Sequence, residues 1–253
     1  MLKYENVNIS VSGEKILEEI NVSFKKGKLT TVIGPNGCGK TTLIQALNGS
    51  SKVTNGAIFL DGEDYLSIKQ KERAKRLSFL PQVRTVIPSI KTSTLVSHGR
   101  FPYIGFSRMS TSEDKRVVKE AMRKASVDEY ADQNVDTLSG GVRQRAFVAM
   151  QLAQDCDYIV ADEPTTYLDL PSTKKVLDIY STLRDEGKTV ILVLHDIVKA
   201  LEISDEIIVM KERKIIYSGA PSKLLETGII EDVFDTKIKK LEDDGRTYYV
   251  ADQ

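Results

Sequence analysis

The residue pattern with the clearest chemical meaning is a glycine-rich loop, Gly34-Pro35-Asn36-Gly37-Cys38-Gly39-Lys40-Thr41-Thr42. Its spacing is that of a phosphate loop, in which a glycine and four free positions precede Gly-Lys-Ser/Thr. Glycines let successive backbone N–H groups turn toward phosphate oxygens, the Lys40 ammonium can reach the β- and γ-phosphates, and the Thr41 hydroxyl can ligate Mg²⁺. The alternative is a glycine-rich turn, and the apolar strand predicted at 29–33 and the helix predicted at 42–47 favour the triphosphate site.

Two adjacent carboxylates, Asp162 and Glu163, end an apolar run that begins at Tyr158. Charged side chains at the end of a buried strand are rarely there for packing. One carboxylate can hold Mg²⁺ and the other can polarise a water molecule. A second apolar run, 189–194, ends at His195, which could sense a γ-phosphate or could be a satisfied core histidine.

A second candidate anion site is the sequence Leu138-Ser139-Gly140-Gly141, which opens a helix with apolar residues at helical spacing. Free N–H groups and the positive end of a helix dipole favour phosphate at such a start. The alternative is an ordinary Ser-Gly helix cap.

The surrounding elements predict an α/β fold. Apolar and polar residues alternate from Tyr4 to Phe24, which predicts antiparallel strands, and Leu77 to Leu80 predicts a strand leading to Gln82. Helices without clear strands are predicted from 83 to 138, including one that Ser112 would cap. We predict one domain over 1–253, with a nucleotide-binding lobe at 1–82 and 139–253 and an inserted helical subdomain at 83–138; the last helix is predicted from Ser222 to Phe234.

Composition limits the remaining possibilities. The chain has 253 residues, 41% of them hydrophobic, with 36 Lys+Arg against 36 Asp+Glu, so no basic field argues for a nucleic acid partner. Only Cys38 and Cys156 are present, which argues against a disulfide framework and fits a reducing cytoplasm. No apolar run approaches the roughly 18 residues of a membrane span, and the first residues lack the apolar core of a signal peptide. We expect a soluble chain or one peripheral to a membrane.

Taken together, these motifs resemble the nucleotide-binding subunit of an ABC transporter over about residues 4–218. The residues that carry the resemblance are GPNGCGKTT at 34–42, Gln82, LSGG at 138–141, YIVADE at 158–163, Asp169 and His195. The resemblance implies the phosphate-loop NTPase fold of ABC ATPases, with a mostly parallel core sheet, an N-terminal antiparallel β subdomain and an inserted helical subdomain. It also implies hydrolysis of ATP with Mg²⁺.

The same resemblance implies a role for each site residue. Gln82 couples the γ-phosphate and Mg²⁺ to a membrane partner, Asp162 holds Mg²⁺ through water, Glu163 activates the attacking water and His195 steadies the γ-phosphate. Residues 34–42 bind the nucleotide, with Thr41 on Mg²⁺. Further nucleotide contacts come from Ser139, Gly140, Gly141 and Asp169.

Three stretches, 99–103, 149–154 and 163–170, look like importers of the iron-siderophore, haem or cobalamin type. This implies a subunit at the cytoplasmic face of the cell membrane, working with a second copy of itself, a polytopic permease and an extracytoplasmic substrate-binding protein. The alternative is a soluble ABC ATPase of an assembly complex, such as the iron–sulfur scaffold type. A chromosome or repair ATPase would need a long coiled-coil insertion, for which the 82–138 interval is too short.

Two further expectations concern the nucleotide. The aromatic residue that usually stacks on adenine in this family would fall near Val11 or Ser12, and Tyr4 is too far upstream, so discrimination of ATP from GTP should be weak. Cys38 lies among the N–H groups of the phosphate loop, which should favour its thiolate.

Overall fold

The computed structural model describes residues 1–82, 89–104, 110–243 and 246–252. Its contacts divide the chain into two compact units. Unit 1 comprises Met1–Ser67 and Thr189–Gln253, and unit 2 comprises Ile68–Lys188.

An antiparallel sheet forms the N-terminal part of unit 1. Its strands are β1 (Leu2–Val11), β2 (Glu14–Phe24), β4 (Lys52–Leu60) and β5 (Glu63–Asp64), in the order β2-β1-β4-β5. The turn from β1 to β2 is Ser12-Gly13, with φ of +50° and +88°, the left-handed pair that a tight two-residue hairpin needs. This sheet is the antiparallel region predicted from alternating residues.

A mixed sheet forms the core of unit 1, where β3 pairs in parallel with both β8 and β9, and β10 pairs antiparallel to β9. These strands are β3 (Leu29–Ile33), β8 (Thr189–Val193), β9 (Glu206–Lys211) and β10 (Lys214–Gly219). Every side chain of β3 and β8 is buried, as expected for parallel strands covered on both faces. Helix α1 (Lys40–Gln45) follows β3 through the glycine-rich loop, and α7 (Ile197–Ile203) follows β8.

The C-terminal part of unit 1 differs from its prediction. The helix predicted from Ser222 to Phe234 is two helices, α8 (Pro221–Leu225) and α9 (Ile229–Phe234), because Gly228 between them has φ +73° and interrupts the helical path. A hairpin of β11 (Lys237–Asp243) and β12 (Arg246–Asp252) follows.

Unit 2 packs helices against a parallel pair of strands. The strands are β6 (Leu77–Leu80) and β7 (Tyr158–Asp162). The helices are α2 (Gln70–Arg76), α3 (Thr92–Ser97), α4 (Ser112–Lys124), α5 (Gly140–Ala153) and α6 (Leu170–Asp185). One buried cluster joins side chains of α3, α4 and α5, among them Val96, Met122 and Ala149.

The start of α4 corrects a second prediction, since Thr111 and not Ser112 is its cap. The Thr111 hydroxyl accepts a bond from the Asp114 N–H at 3.1 Å, and Asp114 accepts one from the Thr111 N–H at 2.9 Å, a reciprocal capping box. Asp114 also accepts a bond from buried Arg100 at 2.9 Å, and Arg100 donates to the Ala153 carbonyl at the end of α5. This ion pair ties the start of α4 to the end of α5.

The predicted insert, 83–138, lies within unit 2, although 83–88 and 105–109 lie outside the described residues. Within the part of the chain that the structure describes, no helix has the length and apolar character needed to cross a membrane.

Candidate functional site

The phosphate loop of unit 1 holds a buried cation. Lys40 is 5% exposed, and its ammonium donates to the Gly34 carbonyl at 2.8 Å and the Pro35 carbonyl at 2.9 Å. Across the described ranges, no carboxylate pairs with Lys40. Because a buried charge is normally paired, this ammonium fits a loop whose anion is a bound phosphate.

Glycine is required within the loop for conformational and steric reasons. Gly37 and Gly39 have φ of +78° and +102°, a region that side chains rarely adopt. A Cβ on Gly39 would also lie 2.6 Å from a Leu17 methyl. Asn36 and Gly37 are exposed, so the backbone at the tip of the loop is open to a ligand, while Thr41 and Thr42 are half-buried in the first turn of α1.

The structure contradicts the expectation for Cys38. Its thiol is 4% exposed, and burial, the largest effect, raises its pKa, which the nearby Lys40 ammonium and backbone hydrogen bonds lower only in part. The thiolate is therefore disfavoured, since desolvation outweighs the N–H groups on which the expectation relied.

His195 lies at the same sheet edge as the phosphate loop. Strands β3 and β8 are parallel neighbours, with Val32 opposite Val193, so the residues after both strands leave at one edge. His195 is exposed, which excludes the core-histidine alternative, and Asp196 after it caps α7 by accepting a bond from the Lys199 N–H at 3.0 Å. A phosphate-sensing role stays a prediction.

In unit 2 the structure brings Gln82 and Glu163 together. They follow the parallel strands β6 and β7, and the Gln82 amide donates to the Glu163 carboxylate. The Thr166 hydroxyl donates to the same carboxylate oxygen at 3.1 Å. Asp162, the last residue of β7, is 1% exposed, whereas Glu163 has φ +49° and leaves the strand direction. Asp162 is therefore buried at the end of the strand, whereas the chain changes direction at Glu163.

The start of α5 also has the geometry of an anion site. Ser139 is the N-cap residue, yet among the described residues its side chain makes no capping bond. Both Ser139 and Gly140 are exposed. Gly141 faces α6 so closely that a Cβ there would lie 2.2 Å from the Ser172 hydroxyl. A helix start without a side-chain cap has backbone N–H groups that suit an anion.

Asp169 is placed next to this helix start by Ser172. Its carboxylate accepts a bond from the Ser172 N–H at 2.9 Å and so caps α6. Hydrogen bonds from Ser172, first from its side chain and then from its backbone N–H, lower the pKa of Asp169 and favour its ionised form. The sequence does not reveal Ser172 and Thr166 as partners of site residues: Ser172 belongs to no motif, and the 163–170 stretch that contains Thr166 does not show which side chains meet.

The region near the first hairpin offers no free aromatic face at the three positions considered for adenine. Val11 ends β1, and Ser12 is an exposed turn residue. Tyr4 is 1% exposed, donates to the Leu43 carbonyl at 3.0 Å and packs edge-on against Phe24. Tyr4 is thus a core residue, and weak discrimination between ATP and GTP stays a prediction.

The donors suited to Mg²⁺ are few. No cluster of three His, Cys, Asp or Glu side chains arranged for a metal occurs within the described residues. Mg²⁺ bound with a nucleotide takes only one or two protein ligands and completes its shell with phosphate oxygens and water. The Thr41 hydroxyl of unit 1 and the Gln82 amide and Asp162 carboxylate of unit 2 each carry an oxygen donor of that type, and their assignment to Mg²⁺ stays a prediction.

Comparison with known proteins decides the family. The model of the ABC transporter family matches residues 17–166, which include the phosphate loop, Gln82, LSGG and both carboxylates. The chain belongs to the ABC transporter family. The predicted recognition, fold class and ATPase activity are thereby confirmed.

Individual relatives of this ABC ATPase agree with the family. The chain is 38% identical over 239 residues to the petrobactin import ATP-binding protein YclP of Bacillus subtilis (strain 168), covering 94% of each chain. It is 37% identical to the iron(3+)-hydroxamate import ATP-binding protein FhuC of the same organism, over 92% of this chain and 87% of the relative. The dimeric structure of the bacterial ABC transporter cassette MJ0796 matches with a TM-score of 0.76 and 29% identity, over 87% of this chain and 99% of that one.

Proposed function

We propose that this chain is the ATP-hydrolysing subunit of an importer that takes up an iron-siderophore chelate, or a haem- or cobalamin-like one, through a separate permease. The observation that carries the proposal is similarity along nearly the whole chain to two ATP-binding proteins named for petrobactin and iron(3+)-hydroxamate import. This similarity extends to regions outside the catalytic motifs. Because ATP hydrolysis alone does not constrain those regions, the similarity there supports a shared role in import.

ATP binding is assigned to residues 34–42. The Lys40 ammonium, which donates to two neutral carbonyls of its own loop, would exchange them for β- and γ-phosphate oxygens. Backbone N–H groups of the loop and of the first turn of α1 would bind the remaining oxygens. Thr41 would ligate Mg²⁺ with Asp162 and Gln82, and the metal, when bound, neutralises charge that develops on the phosphoryl oxygens.

Hydrolysis is assigned to Glu163, with Gln82 and Thr166 holding its carboxylate in place. Two donors on one oxygen orient the carboxylate so that it can accept a proton from water. His195 is assigned to the γ-phosphate, to which its imidazole N–H would donate. These roles require positioning and charge stabilisation more than covalent chemistry, as phosphoryl transfer does.

A second copy of the chain is the partner proposed for catalysis. One chain has two helix starts suited to phosphate, at Gly39-Lys40 and at Gly140-Gly141, but the motifs supply one carboxylate pair, Asp162-Glu163, for Mg²⁺ and water. The LSGG segment of one copy, with Asp169 nearby, would close over the ATP bound by Lys40 of the other. ATP would favour the closed pair and ADP the open one.

The remaining partners follow from import. The chain would lie at the cytoplasmic face of the cell membrane as a peripheral subunit, bound to a polytopic permease that receives the chelate from an extracytoplasmic substrate-binding protein. The proposed insert 83–138, entered at Gln82, would contact the permease. We expect no nucleic acid partner, because 36 basic and 36 acidic residues leave no net basic charge.

Affinity capture tests the import proposal. The tagged Glu163→Gln variant, purified from detergent-solubilised membranes with ATP, should bring down a polytopic permease in near-stoichiometric amount. Tagged Lys40→Ala serves as the control for ATP-dependent retention. Capture of a soluble scaffold complex without a permease would instead favour the assembly ATPase and overturn the import proposal.

A further inference from the structure

Unit 2 contains a buried polar junction that the assigned chemistry does not use. Gln151 of α5 is 4% exposed and Tyr180 of α6 is fully buried. The Gln151 amide donates to the Val160 carbonyl of β7 at 2.8 Å, and its oxygen accepts a bond from the Tyr180 hydroxyl at 3.0 Å. A single side chain thus connects two helices and a strand.

Gln151 is a polar residue on a mainly apolar buried face of α5. Most other buried side chains on the same helix are apolar and pack without hydrogen bonds: Ala146, Val148, Ala149 and Ala153. The remaining one, Arg145, donates to the Ala125 carbonyl at 3.1 Å, which lies outside the ATP motifs. An apolar side chain of similar volume could also be buried at position 151, because cores tolerate apolar substitutions that keep the volume. A buried amide that is bonded through both its nitrogen and its oxygen instead favours the arrangement in which both bonds are made.

Each of the three connected elements has one terminus next to residues assigned to ATP. Helix α5 begins at Gly140 directly after Ser139, β7 ends at Asp162 directly before Glu163, and α6 begins directly after Asp169. Val160 is two residues before Asp162. Gln151 is eleven residues after Gly140, roughly 16 Å along a helix, so a shift of a rigid α5 at the junction is transmitted to its start.

We propose that Gln151 is a positioning residue for ATP hydrolysis, which fixes the start of α5 and the cap of α6 relative to the carboxylates of β7. The inference rests on the proposed ATPase mechanism. Because residues 34–42 bind most of the phosphate, losing the junction lowers kcat and leaves ATP affinity nearly unchanged. A misplacement near 1 Å is enough to slow a reaction about a hundredfold.

The test compares Gln151→Leu and Tyr180→Phe with wild type in kcat, KM, ATP affinity and Tm. We expect kcat to fall more than tenfold in Gln151→Leu and by roughly threefold to tenfold in Tyr180→Phe, with KM and the Kd for ATP within twofold. Tyr65→Phe is the matched control, because Tyr65 is also buried and donates to a carbonyl, that of Leu47, at 2.7 Å in unit 1. Its kcat should remain at the wild-type value.

The double variant Gln151→Leu/Tyr180→Phe separates positioning from stability. Gln151→Leu strands a buried hydroxyl, and removing that hydroxyl should restore Tm while kcat stays low. Recovery of both kcat and Tm in the double variant would overturn the proposal. If Gln151→Leu fails to fold, a wild-type kcat in Tyr180→Phe would overturn it instead. Wild-type chain without ATPase activity would overturn the proposed function as well, whereas active wild type with unaffected variants would overturn this inference alone.

Discussion

The phosphate loop of unit 1 and the carboxylate region of unit 2 are assembled in opposite ways. In the loop, nine consecutive residues supply the cation, the backbone donors and the bends, and Lys40 donates to carbonyls of its own loop. In unit 2, Gln82 and Glu163 are 81 positions apart, and they meet because β6 and β7 are parallel neighbours. Binding is thus encoded locally, whereas hydrolysis depends on tertiary structure. Variants in the two regions should therefore separate affinity from turnover.

The largest effect is expected from Glu163→Gln. An amide keeps the oxygen that accepts from Gln82 and Thr166 but cannot take a proton from water, so kcat should fall by about 10²–10⁴. Phosphate release under saturating ATP measures kcat, and calorimetry should give an ATP affinity near that of wild type. Turnover near wild type would remove Glu163 from its role as base.

The complementary variant is Lys40→Ala, which should weaken binding itself. Loss of charge-assisted bonds worth roughly 1.5–3 kcal/mol corresponds to about a tenfold to hundredfold rise in the Kd for ATP. Calorimetry with ATP checks it, and Lys188→Ala in unit 2, whose side chain forms surface ion pairs with Asp155 and Asp157, is the control. An unchanged Kd for Lys40→Ala would contradict the local encoding of binding.

A third variant, Gly141→Ala, tests the contact between the start of α5 and α6. The added methyl would meet Ser172, whose hydroxyl and Cβ lie 2.2 Å and 2.8 Å from the Cβ position, so stability should fall by about 1–3 kcal/mol and turnover should fall with it. The double variant Gly141→Ala/Ser172→Gly removes the obstacle and should recover both. Failure of the double variant to recover would show that Gly141 is needed for a different reason.

The smallest effect concerns pH and the ion pair that joins α4 to α5. Hydrogen bonds from Thr111, then Arg100, lower the Asp114 pKa from 3.8 to about 2. Because the folded state favours the ionised carboxylate, its contribution is complete above the ordinary pKa and is lost as pH falls toward 2, in total about 2 kcal/mol. Urea unfolding from pH 5 to pH 2 should show the difference between wild type and Asp114→Asn shrinking over that interval, whereas a constant difference would contradict the shifted pKa.

Sequence alone predicts the parts of this fold that depend on neighbouring residues. The buried strands β3, β7 and β8 are short segments of mainly apolar and β-branched residues, and the phosphate loop is a contiguous motif. The sequence predicts Ser112 as the cap of α4, but Thr111 is the residue that completes the reciprocal bonds with Asp114. The break at Gly228 was missed because a glycine within a helical pattern does not reveal its φ.

The site shows the same division between local and distant information. Gln82 was recognised through family resemblance, yet its bond to Glu163 depends on strand pairing that no local pattern encodes. Gln151 lies in the 149–154 stretch of the resemblance, but a glutamine in an alanine-rich helix gives no indication of its distant partners, Val160 and Tyr180. Cys38 was misjudged because its burial follows from the fold and not from the loop residues.

The most direct test of the account is the association state of Glu163→Gln, measured by light scattering with ATP, with ADP, and with Ser139→Arg added. In the proposed composite site, the helix start at Gly140 in one copy completes the ATP site at Lys40 in another. We therefore expect a dimer in ATP and a monomer in ADP, and a monomer in both nucleotides once the bulky side chain introduced by Ser139→Arg blocks the helix start. Dimer formation that is equal in ADP, or unaffected by Ser139→Arg, would contradict the composite site.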